Sequence, residues 1–318
     1  AKQRQLTVII PTRNRYELLK RCLYHFISMN CSKLEITIMV LDASNQKTKT
    51  LNAKLVSDLN LNFIVYRDFD ENVELQERIT YGLGITNSEY CCICADDDFL
   101  IKEGLIESID ILESNPGIAT VRGQSTVFLN NDLSKKFIRS IDIPVSITEE
   151  KIIDRLNTLS KNRITQTIYS VFRTRDLLRI YENIVSMEGI DKLNLVFREY
   201  LFYFFVVIIG KIVVTSECTN LRDYSNDSAT FMYENFYDTI ANGTFNAHYM
   251  NFRRMLIKFL VLNNVFSEEL DKKINIIFCQ FIENSLLIPN DYIRITDTFF
   301  DLELLLKGQR IIHSGKRE

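Results

Sequence analysis

Three consecutive carboxylates, Asp96-Asp97-Asp98, come directly after the apolar run Tyr90–Ala95. Like charges packed at a strand end repel each other, and a bound divalent cation would relieve that repulsion. Carboxylate oxygens are hard ligands that suit Mg²⁺ or Mn²⁺. The pattern therefore predicts a metal site at the triplet, and a solvated acidic turn is the alternative.

The run that precedes the triplet is the last strand of a β-α series in the first hundred residues. Short apolar runs typical of buried parallel strands alternate with segments whose apolar residues recur at helical spacing. The predicted strands are Leu6–Pro11, Glu35–Leu41, Leu61–Tyr66 and Tyr90–Ala95, and the predicted helices are Tyr16–Met29, Lys47–Leu59 and Glu74–Ile85. This alternation predicts a parallel sheet covered by helices, with right-handed crossovers.

Polar segments follow three of these strands. They are Pro11–Arg15 after the first strand, Asp42–Asn45 after the second and Asp96–Asp98 after the fourth. Ligands of such sheets bind beyond the carboxyl ends of the strands, so we expect the three segments to share one rim. That rim would combine anion-binding and metal-binding side chains.

The rest of the chain predicts more α/β structure and then helices. Ser146–Asn157 has a helix start with Thr148 as the N-cap, Asp191–Ile209 is a long helix, and Ile212–Thr215 is a last strand. The polar segment Arg222–Thr230 is predicted to be a linker or a mobile loop. The helices predicted beyond it are Phe231–Leu262, Glu268–Leu287 and Asp297–Leu306.

Composition and charge exclude several classes of protein. The chain has 318 residues, 46% of them hydrophobic and 25% charged, as in a globular protein rather than a disordered or fibrous one. Only 10 Gly and 4 Pro argue against a turn-rich all-β fold. A net charge of -3 disfavours nucleic acid as a partner. Seven Cys without zinc spacing, and no signal-peptide pattern, predict reduced thiols in a cytoplasmic protein.

The order of these motifs resembles glycosyltransferase family 2, whose members have the GT-A fold. In that family the first strand leads into Pro-Thr/Ser-x-Asn, here Pro11–Asn14, and the fourth ends in Asp-x-Asp, here within Asp96–Asp98. The resemblance covers residues 6–225. It implies an α/β fold with a mixed, mostly parallel sheet flanked by helices in residues 1–225, followed by a C-terminal helical region in residues 226–318.

The resemblance also implies roles for the rim residues. The first loop and Asp42 would contact the nucleoside of a sugar nucleotide, and Arg78 takes the place of the arginine in the family's Ala-Arg-Asn helix. Asp96 and Asp98 would hold the donor through Mn²⁺ or Mg²⁺. The implied donor-binding residues are Pro11, Thr12, Arg13, Asn14, Asp42, Arg78, Asp96, Asp97 and Arg222, and the implied metal ligands are Asp98 and Asp96.

Three of these assignments have plainer alternatives. The family commonly has Asp-Asp-Gly-Ser after the second strand, whereas Leu41–Ser44 has one carboxylate fewer, and Asp42 could instead form a local Asx turn. Arg78 could equally be a solvated arginine on a helix surface. Arg222 would neutralise charge on the leaving group, but a charged loop without a ligand is the alternative there.

An inverting transferase needs a base that takes the proton of the acceptor hydroxyl. The family has a carboxylate at the start of a helix on the acceptor side, and Glu199, ahead of an apolar run that ends in Gly210–Val214, resembles that residue. Burial beside apolar neighbours would raise the pKa of Glu199 towards a useful value. Glu188 and Asp191 are the other candidates, and a surface Glu paired with Arg or Lys is the alternative to any catalytic role.

The C-terminal region leaves several roles open. Its aromatic residues between Phe231 and Phe252 could stack on a sugar of the acceptor, although core packing or contact between copies in a homo-oligomer is commoner. The tail Lys307–Glu318 has basic residues beside Ile311 and Ile312, a weak pattern for contact with a membrane surface. A frayed tail without a partner is simpler.

Together with these patterns, the resemblance implies a metal-dependent, inverting glycosyltransferase. It would move a sugar from a nucleoside-diphosphate sugar, with UDP-sugars favoured, to a hydroxyl of a glycan or lipid-linked acceptor. A cytoplasmic location is expected, with or without contact at the inner face of the membrane. A non-catalytic carbohydrate-binding or scaffold subunit is one alternative. A sugar nucleotidyltransferase is another, although the chain has no Gly-rich phosphate loop near its start.

Overall fold

The structure is a computed structural model of the chain. It describes residues 4–29, 33–128, 138–140, 145–162, 167–223, 236–287, 298–300 and 312–314. The strands of the main sheet are β1 (Arg4–Thr12), β2 (Leu34–Asp42), β3 (Ile64–Asp68), β4 (Tyr90–Ile93), β5 (Phe99–Leu100), β6 (Ile118–Phe128), β7 (Ile138–Ser140), β8 (Val171–Arg173) and β9 (Lys211–Asp223).

The main sheet is mixed, with the strand order β3-β2-β1-β4-β8-β6-β9-β5 and β7 paired to β6. The long ladders β1–β2 and β6–β9 are parallel, as are β1–β4 and β2–β3. The antiparallel ladders are short, because β5, β7 and β8 have only two or three residues each. The mixed, mostly parallel sheet predicted from the sequence is confirmed.

Helices cover both faces of this sheet. They are α1 (Tyr16–Ser28), α2 (Gln46–Leu59), α3 (Leu75–Gly84), α4 (Lys102–Ser114), α5 (Ile152–Lys161), α6 (Thr174–Val185), α7 (Leu195–Ile209), α8 (Phe236–Ala241), α9 (Phe245–Leu262) and α10 (Glu268–Leu287). Successive strand residues point to opposite faces, so Val8 and Ile10 pack with α1, α2 and α4, whereas Ile9 packs with α3, α6 and α7.

Helix α7 lies at the centre of the larger core and is apolar on nearly every side. Asn194 caps its first turn, since Asn194 Oδ1 accepts a hydrogen bond from Phe197 N (3.0 Å). At the other end the buried guanidinium of Arg155 donates to the carbonyls of Val207 (2.8 Å) and Ile208 (3.3 Å). Carbonyls at a helix end have no partner within the helix, so Arg155 completes their hydrogen bonding.

The C-terminal helices α9 and α10 share this core with α7. The ring of Phe205 stacks on that of Phe259 with centroids 3.7 Å apart, and Phe204 packs edge-on against Phe252 and Phe281. Core packing of the C-terminal aromatic residues is therefore confirmed for Phe252. In the parts of the chain that the structure describes, no helix combines the length and apolar character needed to cross a bilayer.

The segment before α5 differs from its sequence-based prediction. The helix predicted from Ser146, with Thr148 as its N-cap, begins at Ile152. The reason is tertiary, because Ile147 exchanges two backbone hydrogen bonds of 2.8 Å with Ile212 at the start of β9. The segment is therefore extended where local signals favour a helix.

Strand β9 is much longer than predicted. It continues through the polar residues 215–220 to Asp223, so Arg222 and Asp223 belong to the sheet and not to a linker. Residues 224–230 of that predicted linker lie outside the described residues. Only Gly210 separates α7 from β9.

One predicted C-terminal helix is also wrong where the structure describes it. Thr298–Phe300 forms a strand, β10, that pairs antiparallel with β11 (Ile312–Ser314). The other residues of the predicted helix Asp297–Leu306 lie outside the described residues.

Two glycines allow β9 to approach its neighbours closely. A Cβ at Gly104 in α4 would lie 2.3 Å from the carbonyl oxygen of Cys218, and one at Gly123 in β6 would lie 2.3 Å from that of Glu217. Both oxygens are backbone atoms next to irregularities in the β6–β9 ladder. A side-chain rotation cannot relieve such contacts, so the strands would have to separate.

Gly123→Ala is expected to lower the free energy of unfolding by about 2–3 kcal/mol, because overpacking forces strained positions on well-packed neighbours. Gly117→Ala is the matched control, since nothing lies within 4 Å of its added Cβ. Its stability should change by less than about 0.5 kcal/mol. Chemical denaturation measures both variants, and equal stabilities would contradict the close approach of β6 to β9.

Candidate active site

The acidic triplet lies where the carboxyl ends of β1 and β4 meet. Pro11 and Thr12 are the last residues of β1, which pairs in parallel with both β2 and β4. The Thr12 hydroxyl donates to Asp96 Oδ2 (2.7 Å), which joins the first and fourth strand ends directly. The shared rim predicted from the strand order is therefore present.

Two arginines near the start of α1 bind the triplet. The Nη1 atom of Arg15 lies 3.1 Å from Asp96 Oδ1 and 2.9 Å from Asp97 Oδ2. Arg21 donates to the backbone carbonyl of Asp97 (2.6 Å) and to Asp223 Oδ2 (2.9 Å) at the end of β9. Neither arginine is among the predicted site residues. Their position soon after the first strand, beside the predicted rim, is the signal that points to them.

Burial has the largest effect on the protonation of the acids. It raises the pKa of Asp96 to about 6, although the Thr12 hydroxyl and Arg15 act in the opposite direction. It raises the pKa of Asp98 to about 7, against the opposing charge of Arg222. A further positive charge beside these carboxylates would favour their ionised forms. The rim therefore favours the binding of a cation.

Asp98 has an oxygen that fits a metal ligand. Its Oδ1 accepts from Asp223 N (3.0 Å), whereas its Oδ2 is buried and makes no hydrogen bond to any described residue. Arg222 forms an ion pair with Asp98, with its Nε 3.8 Å from that Oδ2. A buried carboxylate oxygen without a hydrogen bond is costly unless an ion binds it.

Asp96 fits a metal less directly, because both of its oxygens already accept hydrogen bonds, from Thr12 and from Arg15. A cation at Asp96 would have to compete with Arg15 for Asp96 Oδ1. Among the residues that the structure describes, no three His, Cys, Asp or Glu side chains are arranged to hold a metal. The pair Asp96 and Asp98 as metal ligands therefore stays a prediction.

Asp42 is buried, and both oxygens of its carboxylate accept hydrogen bonds from other residues of the protein. Its Oδ1 accepts from Ser44 N (2.7 Å), which is the Asx turn that the sequence left open. Its Oδ2 accepts from Asn52 Nδ2 (2.8 Å) and from the Tyr66 hydroxyl (2.7 Å). Asp42 thus braces the end of β2 against α2 and β3. Direct contact between Asp42 and a nucleobase stays a prediction.

Arg78 also points into the protein. Its Nη1 donates to the carbonyls of Thr12 (3.1 Å) and Leu41 (2.9 Å), near the ends of β1 and β2. Burial, followed by the charge of Arg13, lowers the pKa of Arg78 to about 10. The alternative of a solvated helix-surface arginine is wrong, because Arg78 is only 4% exposed.

The loop after β1 has a defined conformation. Asn14 has φ 58°, a left-handed value that Asn tolerates better than most residues. Its backbone N donates to Ser44 Oγ (2.8 Å), and its side-chain oxygen accepts from Asn45 N (2.8 Å). Arg13 donates to two carbonyls in the segment 71–73, at 2.7 and 3.2 Å. These bonds connect the loops that follow β1, β2 and β3.

A cleft of about 590 Å³ opens beside this loop, between the start of α2 and the segment that follows β3. Arg13 binds the wall formed by that segment, and Lys49 binds the Phe69 carbonyl (2.7 Å) from the α2 side. The cleft therefore adjoins the residues predicted to bind the nucleoside. Its lining residues are Gln46, Lys49, Asp70, Glu71, Asn72, Val73 and Glu77.

Glu199 lies near the start of α7 with an exposed side chain, so the predicted burial of this residue is wrong. The hydroxyl of Tyr203, one turn further along and buried, donates to Glu199 Oε1. Glu188 and Asp191, the other candidate bases, are exposed in the segment between α6 and α7.

Arg222 lies beside Asp98 and close enough to Glu199 for their charges to interact. Its guanidinium lies over the ring of Tyr169, 5.3 Å from the centroid, and its Nε approaches Asp98. Burial opposes the charge of this guanidinium, but Tyr169, Asp98 and Glu199 together raise the pKa of Arg222. Asp98, Arg222 and Glu199 are thus electrostatic neighbours on one side of the rim. Tyr169 is a site residue that the sequence does not predict, because it follows no recognised motif.

The family model of glycosyl transferase family 2 matches residues 7–179, which is more than half of the chain. The chain belongs to this family. It is therefore a glycosyltransferase, and the predicted family and enzyme class are confirmed. The match includes the loop after β1 and the acidic triplet. No curated protein sequence matches the chain.

Solved glycosyltransferase structures share the fold. S. aureus TarS superposes with a TM-score of 0.53 at 15% identity, over 89% of this chain and 44% of that chain, so this chain spans less than half of that protein. TarS 1-349 gives 0.51 at 14% identity over 88% of each chain. TarS 1-349 in complex with UDP gives 0.50 at 16% identity over 88% of each chain. At these identities the likeness shows the fold, and the predicted GT-A architecture with C-terminal helices is confirmed.

Proposed function

We propose that this family 2 member is a metal-dependent, inverting transferase that moves a sugar from a nucleoside-diphosphate sugar to a hydroxyl of a glycan or lipid-linked acceptor. The observation that carries the proposal is that the Arg222 guanidinium lies beside the unbonded oxygen of Asp98, close enough to Glu199 for the two charges to interact. A carboxylate with an unused buried oxygen, a cation and a second, exposed carboxylate are what such a reaction requires in one site.

The nucleoside is proposed to bind in the cleft beside Arg13 and Asn14, with its diphosphate towards the acidic triplet. UDP-sugars are favoured, because a structural relative of the same fold was solved with UDP. Pro11 and Thr12 would line the passage from the cleft to the triplet. Residues such as Asp42 and Arg78 would act by fixing the strand ends, since their polar groups already bind the protein.

Mn²⁺ or Mg²⁺ would be held by Asp98 and, once Arg15 has moved, by Asp96. When bound, the ion supplies Lewis-acid stabilisation of the charge on the diphosphate. Asp97 would remain close to the donor through its position between the two ligands. Arg222, which is partly exposed and next to Asp98, would donate hydrogen bonds to the leaving diphosphate.

Glu199 would act on the acceptor. Its carboxylate takes the proton of the acceptor hydroxyl while the hydroxyl oxygen forms a bond to the anomeric carbon. The bond from that carbon to the diphosphate breaks on the opposite face, so the anomeric configuration inverts. The electron pair leaves with the diphosphate, whose charge Arg222 neutralises. Tyr203 would hold the carboxylate in position through its hydrogen bond.

A panel of UDP-, GDP-, CDP- and dTDP-sugars, each with and without Mn²⁺, tests the proposal through thermal unfolding of the full chain. The true donor at about 100 times its Kd should add about 2.7 kcal/mol to the stability of the protein. We expect this gain only with Mn²⁺ and expect it to be largest for a UDP-sugar. An equal gain without the ion would contradict metal dependence, and no gain from any nucleotide would contradict the donor class.

The proposal also assigns separate roles to two parts of the chain. Residues 1–225 would form the catalytic part, and residues 226–318 would contribute acceptor binding, oligomer contact or membrane-surface contact. The packing of α9 and α10 on α7, the helix of Glu199, supports a role near the acceptor. A cytoplasmic location stays a prediction from the sequence.

A further inference from the structure

Arg15 has an unusual position among the described arginines, because one guanidinium nitrogen bridges two of the three rim acids. Its Nη1 lies within hydrogen-bonding distance of Asp96 Oδ1 and Asp97 Oδ2. The Arg15 side chain is 29% exposed, whereas the side chains of Asp96 and Asp97 are 5% and 10% exposed. The guanidinium therefore covers the acids from the solvent side.

The other rim arginines are held differently. Arg21 is fixed between Asp223 and the backbone carbonyl of Asp97, and Arg78 is buried against two strand carbonyls. Arg222 lies on the opposite side of the triplet, next to Asp98. Arg15 is thus the guanidinium that binds Asp96, one of the two acids proposed to hold the divalent cation.

A bound cation would compete with Arg15 for Asp96. A doubly charged ion outcompetes a single guanidinium for the same carboxylate oxygens, because its charge is larger and more compact. Once the cation neutralises Asp96, the partly exposed guanidinium of Arg15 would favour another anion nearby. The planar, forked guanidinium of Arg fits the oxygens of a diphosphate well. The donor's diphosphate is the anion that the proposed reaction brings to this rim.

We propose that Arg15 is a donor-binding residue that exchanges partners, binding Asp96 and Asp97 in the free protein and the diphosphate of the donor once a divalent cation binds the acids. This inference rests on the proposed function. It makes Arg15 a competitor of the cation and a partner of the nucleotide. Removing the guanidinium should therefore change the two affinities in opposite directions, which a purely structural role would not do.

The experiment measures Mn²⁺ binding by the electron paramagnetic resonance signal of the unbound ion, and binding of UDP and of GDP by calorimetry at saturating Mn²⁺. For Arg15→Gln we expect Mn²⁺ to bind about tenfold more tightly, because the ion no longer competes with the guanidinium. We expect the preferred nucleotide to bind about tenfold more weakly, because its diphosphate loses a charge-assisted contact. Arg4→Gln is the matched control. Arg4 is also 29% exposed and also binds two carboxylates, Asp110 and Glu113, but it lies at the other end of β1.

Different outcomes would contradict the inference about Arg15 and the proposed function on which it rests. If Arg15→Gln leaves both affinities within twofold of the wild type, or weakens both, the exchange of partners is wrong. Arg15→Lys keeps the charge but loses the planar, forked guanidinium, so it should shift both affinities in the same directions by less, and it replaces Arg15→Gln if that variant does not fold. A wild-type protein that binds neither UDP nor GDP with Mn²⁺ would instead contradict the proposed function itself.

Discussion

Asp98→Asn is expected to reduce sugar transfer by about a thousandfold, because the ion held by this carboxylate contributes several kcal/mol to stabilising the transition state. The same change should not destabilise the protein. Asp98 is buried, one of its oxygens has no hydrogen bond to a described residue, and the amide oxygen of Asn can still accept from Asp223 N. Loss of activity without loss of stability would mark Asp98 as a functional residue.

The difference in stability between Asp98→Asn and the wild type should depend on pH. Burial raises the pKa of Asp98 to about 7 from an ordinary value of 3.8, so folding favours the protonated form. The wild type therefore loses stability as the pH rises from about 4 to about 7, and the neutral Asn does not. At pH 8 the variant should equal or exceed the wild type, and this difference should vanish at pH 4. Thermal unfolding at both values measures it.

Asp110→Asn is the control for this experiment, because Asp110 has a 47% exposed side chain and lies far from the rim, in a salt bridge with Arg4. Its transfer rate should match that of the wild type, and its stability should change by less than about 1 kcal/mol. Transfer by Asp98→Asn within tenfold of the wild type would remove Asp98 from the site.

Glu199→Gln is expected to reduce the rate of transfer by about 10³-fold, within the range that a general base contributes. Gln is isosteric and can still accept the hydrogen bond of Tyr203, so the change removes the basic group and little else. Binding of the nucleotide with Mn²⁺ should stay within twofold of the wild type, because the donor is proposed to bind on the other side of Arg222. The measurement is transfer with saturating donor, beside donor affinity.

Glu188→Gln serves as the matched control, since Glu188 is also exposed and is the alternative base in the preceding segment. Its transfer rate should equal that of the wild type. The opposite result, full activity in Glu199→Gln and a large loss in Glu188→Gln, would move the role of base to Glu188. Survival of transfer in both Asp98→Asn and Glu199→Gln would overturn the roles proposed for this rim.

The sequence predicts the parallel half of the sheet well, because its strands and helices carry their own hydrophobic periodicity. It fails where an element depends on a distant partner. The second half of β9 is polar, and it is a strand because β6 and β5 pair with it. The segment around Ile147 has helix-start signals, but its backbone pairs with Ile212. Pairing with a segment distant along the chain leaves no pattern in the local sequence that would predict it.

The candidate site, too, is predictable from the sequence only in part. The position of the acids after β4 is predictable, because residues that directly follow a parallel strand lie at the carboxyl edge of the sheet. The direction in which a side chain points is not, since it depends on packing around the site. Asp42 and Arg78 lie at their expected positions but point inward, where buried donors and acceptors satisfy them. Arg15 reaches the acids by a side-chain conformation that spacing alone does not specify.

The single residue between α7 and β9 has a consequence for how such a site can diversify. Glu199 near the start of α7 and Arg222 near the end of β9 belong to one uninterrupted piece of chain, residues 195–223. A Cβ at Gly210 would lie 2.8 Å from that of Ala119, so the junction has no room for a side chain at this position. Recombination with breakpoints outside this piece would transmit both residues at a preserved spacing.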